Sequence, residues 1–115
     1  MAQFQSAHGL VEQIFPLTIN AGNSGDNLLV SGVPRYRLLL MMYHFMVPSA
    51  VTITMLSSGG SVISGPRAFA TNGGVLAAFS RDGYIITKSG EGLVMNLSGA
   101  VLIGGEGTYG IIRSG

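Results

Sequence analysis

The sequence has 115 residues, enough for one domain that buries roughly two-thirds of the surface its unfolded chain exposes. Apolar residues make up 47% of the chain and charged residues 10%, whereas an ordinary soluble domain has roughly 25% charged residues. A surface with so few charges favours burial against a partner, so we expect an oligomer. Cysteine is absent, which excludes disulfides, thiolate catalysis and cysteine metal sites.

The six basic and five acidic residues nearly cancel and are scattered along the chain. Nucleic-acid binding needs clustered side chains that neutralise phosphates, and only Arg35 and Arg37 approach such a cluster. Alternate residues of a strand share one face, so this pair indicates a local positive spot. We expect no nucleic-acid partner.

The first predicted strand covers residues 10–19 and is followed by a polar loop at 20–27. The segment before this loop has only Glu12 as a formal charge and is rich in large apolar side chains. We therefore predict that residues 1–20 are either an arm that adds to the sheet edge of a neighbouring subunit or the first strand of the domain, and that residues 21–115 form the domain itself.

An uncharged run, LLLMMYHFMVPSAVTITML, follows a short predicted strand at 28–31. The run is close to the length of a membrane-spanning helix, but Pro48 divides it and VTIT is a β-branched alternation. The pattern favours two strands, 35–47 and 50–56, joined by a turn as a long apolar hairpin. We expect no membrane partner.

The next stretch, SGGSVISGPRAFATNGG at residues 58–74, is glycine-paired at both ends with a Gly-Pro in its middle. It lacks the G-x-G-x-x-G and Walker spacings that hold phosphates at a helix start. We interpret the stretch as a loop whose glycines form tight turns.

Short apolar runs bounded by turn residues continue to the end of the sequence, at 75–79, 84–87, 93–97, 101–103 and 108–112. Arg81-Asp82-Gly83 is typical of a type I′ hairpin turn, so the segment from Tyr84 is expected to pair back antiparallel. No stretch has helical periodicity. The fold class that we predict is all-β, an antiparallel β-sandwich of jelly-roll character.

No catalytic pattern emerges from the polar residues. The two imidazoles, His8 and His44, have no second ligand at short spacing, and no serine lies in the G-x-S-x-G pattern of hydrolases. The acidic residues lie beside turn glycines or in polar stretches, although a glycosidase pair assembled by the fold stays open. We expect no enzyme activity, catalytic residue, cofactor or metal.

The candidate interface combines the apolar amino-terminal segment, the two arginines and one face of the strand at 35–47. Met42, His44 and Met46 alternate there and so point to the same side, where the histidine is interpreted as a core or interface residue. The residues of this hypothesis are Phe4, Leu10, Val11, Phe15, Arg35, Arg37, Met42, His44 and Met46.

The carboxy-terminal half carries a more specific arrangement. Ile63-Ser64-Gly65-Pro66 is followed by Asn72-Gly73-Gly74, then by Thr87-Lys88-Ser89-Gly90-Glu91, and finally by LVMNLSGAVLIGG with a closing Tyr109. This order, over about residues 57–112, resembles that of small tailed-bacteriophage virion proteins similar to the β-sandwich decoration, or cement, proteins of capsids.

The resemblance implies a structural, capsid-stabilising protein, made in the host cytoplasm and placed on the outer surface of the virion capsid. Its implied partners are the major capsid protein and two further copies of itself in a trimer, and no cofactor is implied. Two alternatives stay open. One is a tail or fibre module that binds a receptor or glycan, with Tyr84 and Tyr109 as sugar platforms, and the other is a small β-sandwich glycan hydrolase.

Overall fold

The computed structural model describes residues 3–114, which form β-strands and no helix, so the all-β prediction is confirmed. Several segments alternate buried and exposed side chains, as expected of strands with one face against a core. The strands are β1 (Phe4–Ser6), β2 (Gly9–Ala21), β3 (Gly25–Val30), β4 (Tyr36–Met46), β5 (Val51–Ser57), β6 (Val62–Phe69), β7 (Gly74–Ala77), β8 (Ile85–Ile86), β9 (Leu93–Leu97) and β10 (Ile103–Arg113).

The strands form two sheets in which every pair is antiparallel. The first sheet has the order β1-β2-β10-β4-β7, with β8 also paired to β4, and the second has the order β3-β9-β5-β6. The pairs are nested in sequence, because β2 pairs with β10, β3 with β9, β4 with β7 and β5 with β6. Except for β1 with β2 and β5 with β6, strands that are neighbours in one sheet are therefore not consecutive in the chain.

One hydrophobic core joins the two sheets, since buried side chains from both belong to a single cluster. The first sheet supplies residues of β2, β4 and β10, and the second sheet supplies residues of β5 and β9. The buried members are Leu17, Ile19, Ala21, Leu40, Tyr43, Phe45, Val47, Val51, Ile53, Met55, Ile85, Leu93, Met95, Leu97 and Ile103.

A second, smaller cluster lies on the opposite face of the first sheet, which we call the outer face. Tyr109 packs against the main core, whereas a Cβ at the adjacent Gly110 would meet Val11 and Met41 of the second cluster. Successive strand residues point to opposite faces, so the two clusters lie on opposite sides of the sheet. The buried members are Val11, Leu39, Met41 and Ile112.

The predicted apolar hairpin at 38–56 is wrong. β4 belongs to the first sheet and β5 to the second, so the segment around Pro48 carries the chain from one sheet to the other. Val47 instead bonds to the turn before β7, donating its N–H to the Gly73 carbonyl at 2.8 Å and accepting from the Asn72 N–H at 2.8 Å. Among residues 3–114 no helix has the length and apolar character needed to cross a membrane.

The predicted loop at 58–74 contains a strand, β6, between two turns. The turns are as expected: Gly60 has a φ of 105° and donates to the Ser57 carbonyl, and Asn72 has a φ of 63°. The strand was missed because Pro66 indicates a break. β6 is an edge strand, where one row of N–H groups needs no partner and proline is tolerated.

The predicted hairpin at Arg81-Asp82-Gly83 is also wrong. Gly83 has the expected positive φ of 72° and closes a turn by donating to the Ser80 carbonyl. However, β7 and β8 both pair with β4, at Tyr43–Met46 and Leu39–Leu40 respectively, and not with each other. The segment between them therefore runs along β4 rather than reversing.

The amino-terminal segment forms β1 and β2, and β2 pairs with β10 along most of its length. Leu17, Ile19 and Ala21 of β2 lie in the main core, at 4% exposed or less. An amino-terminal arm is therefore not confirmed.

Candidate functional site

The outer face of the first sheet has an exposed half and a covered half. In the exposed half, Met42, His44, Met46 and Leu76 form a group that we call the outer patch. Tyr43, Phe45 and Val47 point into the main core, so His44 and Met46 between them must point outward, and Met42, two residues before His44 without a register shift, shares their face. Leu76 lies directly opposite His44 on β7 and shares its face.

The outer patch is apolar and open to solvent. Met46 is 64% exposed and Leu76 is 84% exposed, while Met42 is half-buried. Met46 stands between two glycines, because its cross-strand partners are Gly104 on β10 and Gly74 on β7. A Cβ at Gly104 would meet no atom within 4 Å, so no neighbouring side chain covers the thioether of Met46 on that side.

One member of the outer patch, His44, is paired with a carboxylate. The Nε2 atom of His44 lies 3.3 Å from the Oε1 atom of Glu106, its cross-strand partner on β10. Both groups are accessible, since the side chains are 43% and 72% exposed. His44 is therefore a surface residue with a carboxylate neighbour and not a core histidine. Among residues 3–114, no three His, Cys, Asp or Glu side chains lie together as a metal site.

The covered half of the outer face contains two of the four amino-terminal residues predicted for the interface, Phe4 and Val11. Val11 is fully buried in the second cluster, so it packs inside the chain. Phe4 packs on that cluster, meets the Phe79 ring edge-on at 6.4 Å between centroids, and has the Arg81 guanidinium 5.3 Å above its ring. The Ala7 N–H donates to the Asp82 carboxylate at 2.8 Å. These contacts tie the start of the chain to the segment before β8.

Leu10 and Phe15 lie elsewhere. Leu10 is 44% exposed on β2. Phe15 is half-buried on the core side and stacks on Tyr109 of the adjacent strand, with 5.4 Å between ring centroids. The fold therefore does not gather the predicted amino-terminal residues with Met42, His44 and Met46 into one continuous surface.

The two predicted arginines stand near the other end of β4. Arg35 is exposed and has a φ of 68°, a left-handed conformation that is uncommon for a residue with a Cβ. Arg37 donates from Nε to the Thr87 carbonyl at 2.8 Å, which anchors the segment that follows β8.

A compact polar network lies close to these arginines. The Tyr36 hydroxyl donates to Glu12 at 2.9 Å and accepts from Arg113, whose guanidinium also lies 4.9 Å above the Tyr36 ring. The hydrogen bond to the Glu12 carboxylate raises the pKa of Tyr36, because ionised tyrosine would lose it. The network joins β2, β4 and β10 and presents no free nucleophile.

A small cavity lies in the core between the sheets, with a volume of ≈ 20 Å³. That is room for about one water molecule. Its lining is mostly apolar, with Tyr43, Phe45, Met55 and Phe69 among the walls and Arg67 as the charged residue. The cavity is a packing gap too small for an organic ligand.

The tyrosines and carboxylates proposed for glycan chemistry have structural partners. Tyr84 is 48% exposed, but its hydroxyl bonds to the Ala78 carbonyl and its ring meets Tyr43 edge-on. The carboxylates bond to different groups in separate places: Glu12 to Tyr36, Asp26 to Asn96, Asp82 to Ala7, Glu91 to Gly59 and Glu106 to His44.

Two members of this region escaped prediction from the sequence, Leu76 and Glu106. Alternation within the predicted strand at 75–79 could have indicated an outward Leu76, but its place beside His44 depends on the pairing of β7 with β4. Glu106 lies among glycines that suggested a loop, and β10 continues through them.

Comparison with protein-family models, curated proteins and solved structures gives no match for this chain.

Proposed function

We propose that this chain is a structural virion protein that binds and stabilises a bacteriophage capsid as a decoration protein on its outer surface. The observation that carries the proposal is the outer patch, where Met46 and Leu76 are 64% and 84% exposed on a flat, two-sheet body. Large contiguous apolar patches on soluble proteins usually mark interaction sites. The sequence resemblance over residues 57–112 supports a capsid as the place of assembly.

The fold that we propose is a jelly roll. Its support is the nesting of strand pairs around the turn between β5 and β6, with β2 and β10 outermost among the four nested pairs. Such a rolled hairpin places the first and last long strands side by side. A rigid body of this kind presents its outer patch without any cost of ordering a flexible segment.

The chain assembles as a trimer through the outer patch, and the trimer contacts the major capsid protein. In a closed ring of three identical subunits each interface joins two different surfaces, so the outer patch of each copy packs against a second surface of its neighbour. Binding to assembled capsid subunits and not to separate ones shifts the equilibrium towards the assembled shell, and several contacts per trimer act together.

The test uses charge placed on the outer patch. Leu76→Lys and Met46→Lys each put an ammonium where an apolar contact is expected, and burying an unpaired charge costs several kcal/mol. We expect a trimer for the wild type and monomers for these variants by light scattering. Leu28→Lys is the matched control, because Leu28 is 57% exposed on the second sheet and should leave the trimer intact.

Particle binding completes the test. Wild-type protein and the Leu28→Lys control should bind phage capsids produced by the genome that encodes this chain, and the patch variants should not. Decoration predicts many copies on each particle, whereas few copies confined to the tail would favour the receptor- or glycan-binding alternative. A wild-type protein that stays monomeric and binds no particle contradicts the proposal, and release of sugar from a glycan substrate would favour the hydrolase.

A further inference from the structure

The outer patch also holds a set of metal-donor atoms that assembly does not explain. Met42, His44 and Met46 emerge on the same face of β4, with the imidazole between the two thioethers. Residues two apart in a strand are separated by roughly 6.5 Å. A methionine side chain has three rotatable bonds and can turn its sulfur across that distance towards the central imidazole.

The surroundings leave these donors room to move. Met46 has only glycines as cross-strand neighbours, Gly104 and Gly74, and is 64% exposed. The His44 side chain is 43% exposed, so its ring nitrogens are within reach of solvent ions. Met42 is half-buried opposite Thr108 on β10, next to a β-bulge where the register with β10 shifts, and it lies two residues before His44 on the same face.

Glu106 adds an anionic oxygen to the set. Its Oε1 lies 3.3 Å from Nε2 of His44. Ligands bound tetrahedrally at about 2.0–2.1 Å from a metal are separated by about the same distance. The carboxylate also offsets the charge of a bound cation, so a monovalent ion leaves this charge-poor face neutral.

We propose that Met42, His44, Met46 and Glu106 bind one soft monovalent metal ion, Cu(I) or Ag(I). Thioethers select soft ions, and imidazole is a good nitrogen ligand for copper, whereas hard cations such as Mg²⁺ and Ca²⁺ take oxygen ligands. The neutral imidazole coordinates through Nε2 while its proton stays on Nδ1. This site goes beyond the proposed function and does not rest on it, and it is tested on the monomer, in which no second copy covers the outer patch.

The direct test is titration of the purified full chain with Ag(I) in chloride-free buffer, and with Cu(I) against a chromogenic chelator without oxygen. We expect one ion per chain. The double variant Met42→Leu/Met46→Leu should weaken binding at least about tenfold, and His44→Gln should do the same. Leucine replaces methionine at nearly equal volume, so the double variant should fold normally.

Matched controls separate this site from general affinity for soft ions. His8→Gln removes the other imidazole, and Met55→Leu removes a thioether that is only 8% exposed in the core. Both should bind Ag(I) as the wild type does. In the wild type, the methyl resonances of Met42 and Met46 should shift on titration, a readout that needs no variant, while that of Met55 stays in place.

Three results would overturn the proposal: Ag(I) affinity unchanged in the double leucine variant, no saturation at one ion per chain, or Zn²⁺ bound more tightly than Ag(I) with only His44→Gln affecting it. The capsid proposal is judged separately by particle binding of metal-free protein, so either proposal can fail alone.

Discussion

The side chain of Glu91 links two loops of this molecule. Its carboxylate accepts a hydrogen bond from the Gly59 N–H at 2.9 Å, which ties the turn after β5 to the segment before β9. The Ser57 and Gly59 hydrogen bonds lower the pKa of Glu91 below its ordinary value of 4.5, with a smaller contribution from the charge of Lys88.

Because the pKa of Glu91 is lowered in the folded protein, its ionised carboxylate contributes to folding stability at neutral pH, and we expect this contribution to be lost in acid. A carboxyl whose pKa is lower in the folded state stabilises the protein above its unfolded pKa, and that stabilisation is lost as the pH falls through the folded value. Glu91→Gln should therefore reduce the loss of stability between pH 5 and pH 3, measured as urea midpoints at pH 7, 5 and 3.

Ser58→Ala is the control for this measurement. The Ser58 hydroxyl accepts from the Gly92 N–H at 2.9 Å in the same region but carries no charge. Its removal should lower the midpoint by a similar amount at every pH. If the urea midpoint of Glu91→Gln falls with pH as steeply as that of the wild type, the Glu91 carboxylate does not contribute to the acid sensitivity of the fold.

β10 fits between β2 and β4 because several of its residues are glycines. A Cβ at Gly107 would collide with the Met42 carbonyl, and one at Gly105 with the His44 carbonyl, both of them backbone atoms that cannot move aside. Gly104, in the same strand, has no atom within 4 Å of the position where a Cβ would lie. Gly105 and Gly107, which suggested a turn in the sequence, therefore allow the backbones of β10 and β4 to approach closely.

These differences predict opposite effects for two alanine substitutions in one strand. Gly107→Ala forces β10 and β4 apart and should lower the free energy of unfolding by about 1–3 kcal/mol, the usual cost of overpacking. Gly104→Ala should be neutral or stabilising by up to about 1 kcal/mol, because glycine in a strand loses more conformational freedom. Urea unfolding of both variants checks the pair, and an equal loss of stability would contradict the steric explanation.

Individual strands were predictable where the local pattern was strong. β9 was predicted with its observed bounds, and β5 and β4 nearly so, because β4 and β9 are short apolar runs bounded by turn residues and β5 begins with a β-branched alternation. β6 and the middle of β10 were missed, since Pro66 and the glycines signal turns when the neighbouring strand is unknown. Strand partners were not predictable, because β4 pairs with segments from distant parts of the chain and not with the adjacent β5.

Some residues of the candidate site could also be predicted from the sequence, and others could not. Alternation in the sequence was enough to place Met42, His44 and Met46 on one face, and the structure keeps them together. Glu106 and Leu76 join them only through the registers of β10 and β7 against β4, which depend on the packing of the whole core. Val11 was assigned to a surface because nothing in the sequence shows that the second cluster covers it.

The molecule as a whole separates apolar residues that hold it together from apolar residues that stay exposed to solvent. Leu97 is 1% exposed in the core shared by the two sheets, whereas Leu76 is 84% exposed on the outer patch. Leu97→Ala should lower the free energy of unfolding by about 2–5 kcal/mol. Leu76→Ala should change it by no more than about 0.5 kcal/mol.

Chemical denaturation of the two leucine variants, at concentrations where the protein is monomeric, measures this contrast. A large loss of stability in Leu76→Ala would mean that Leu76 supports the fold of the single chain and is not reserved for a partner.

The position of β10 determines when this protein can fold during its synthesis. β2 and β4 are separated in the first sheet by β10, so neither has its main partner until Ile103–Arg113 has left the ribosome. Until then the nascent chain exposes unpaired backbone groups and the apolar faces of both strands, which makes it vulnerable to aggregation. Closing contacts between the two ends of the chain is also slow, in the range of milliseconds to seconds for β-rich topologies. The domain can therefore complete its fold only after Ile103–Arg113 has been synthesised and inserted between β2 and β4.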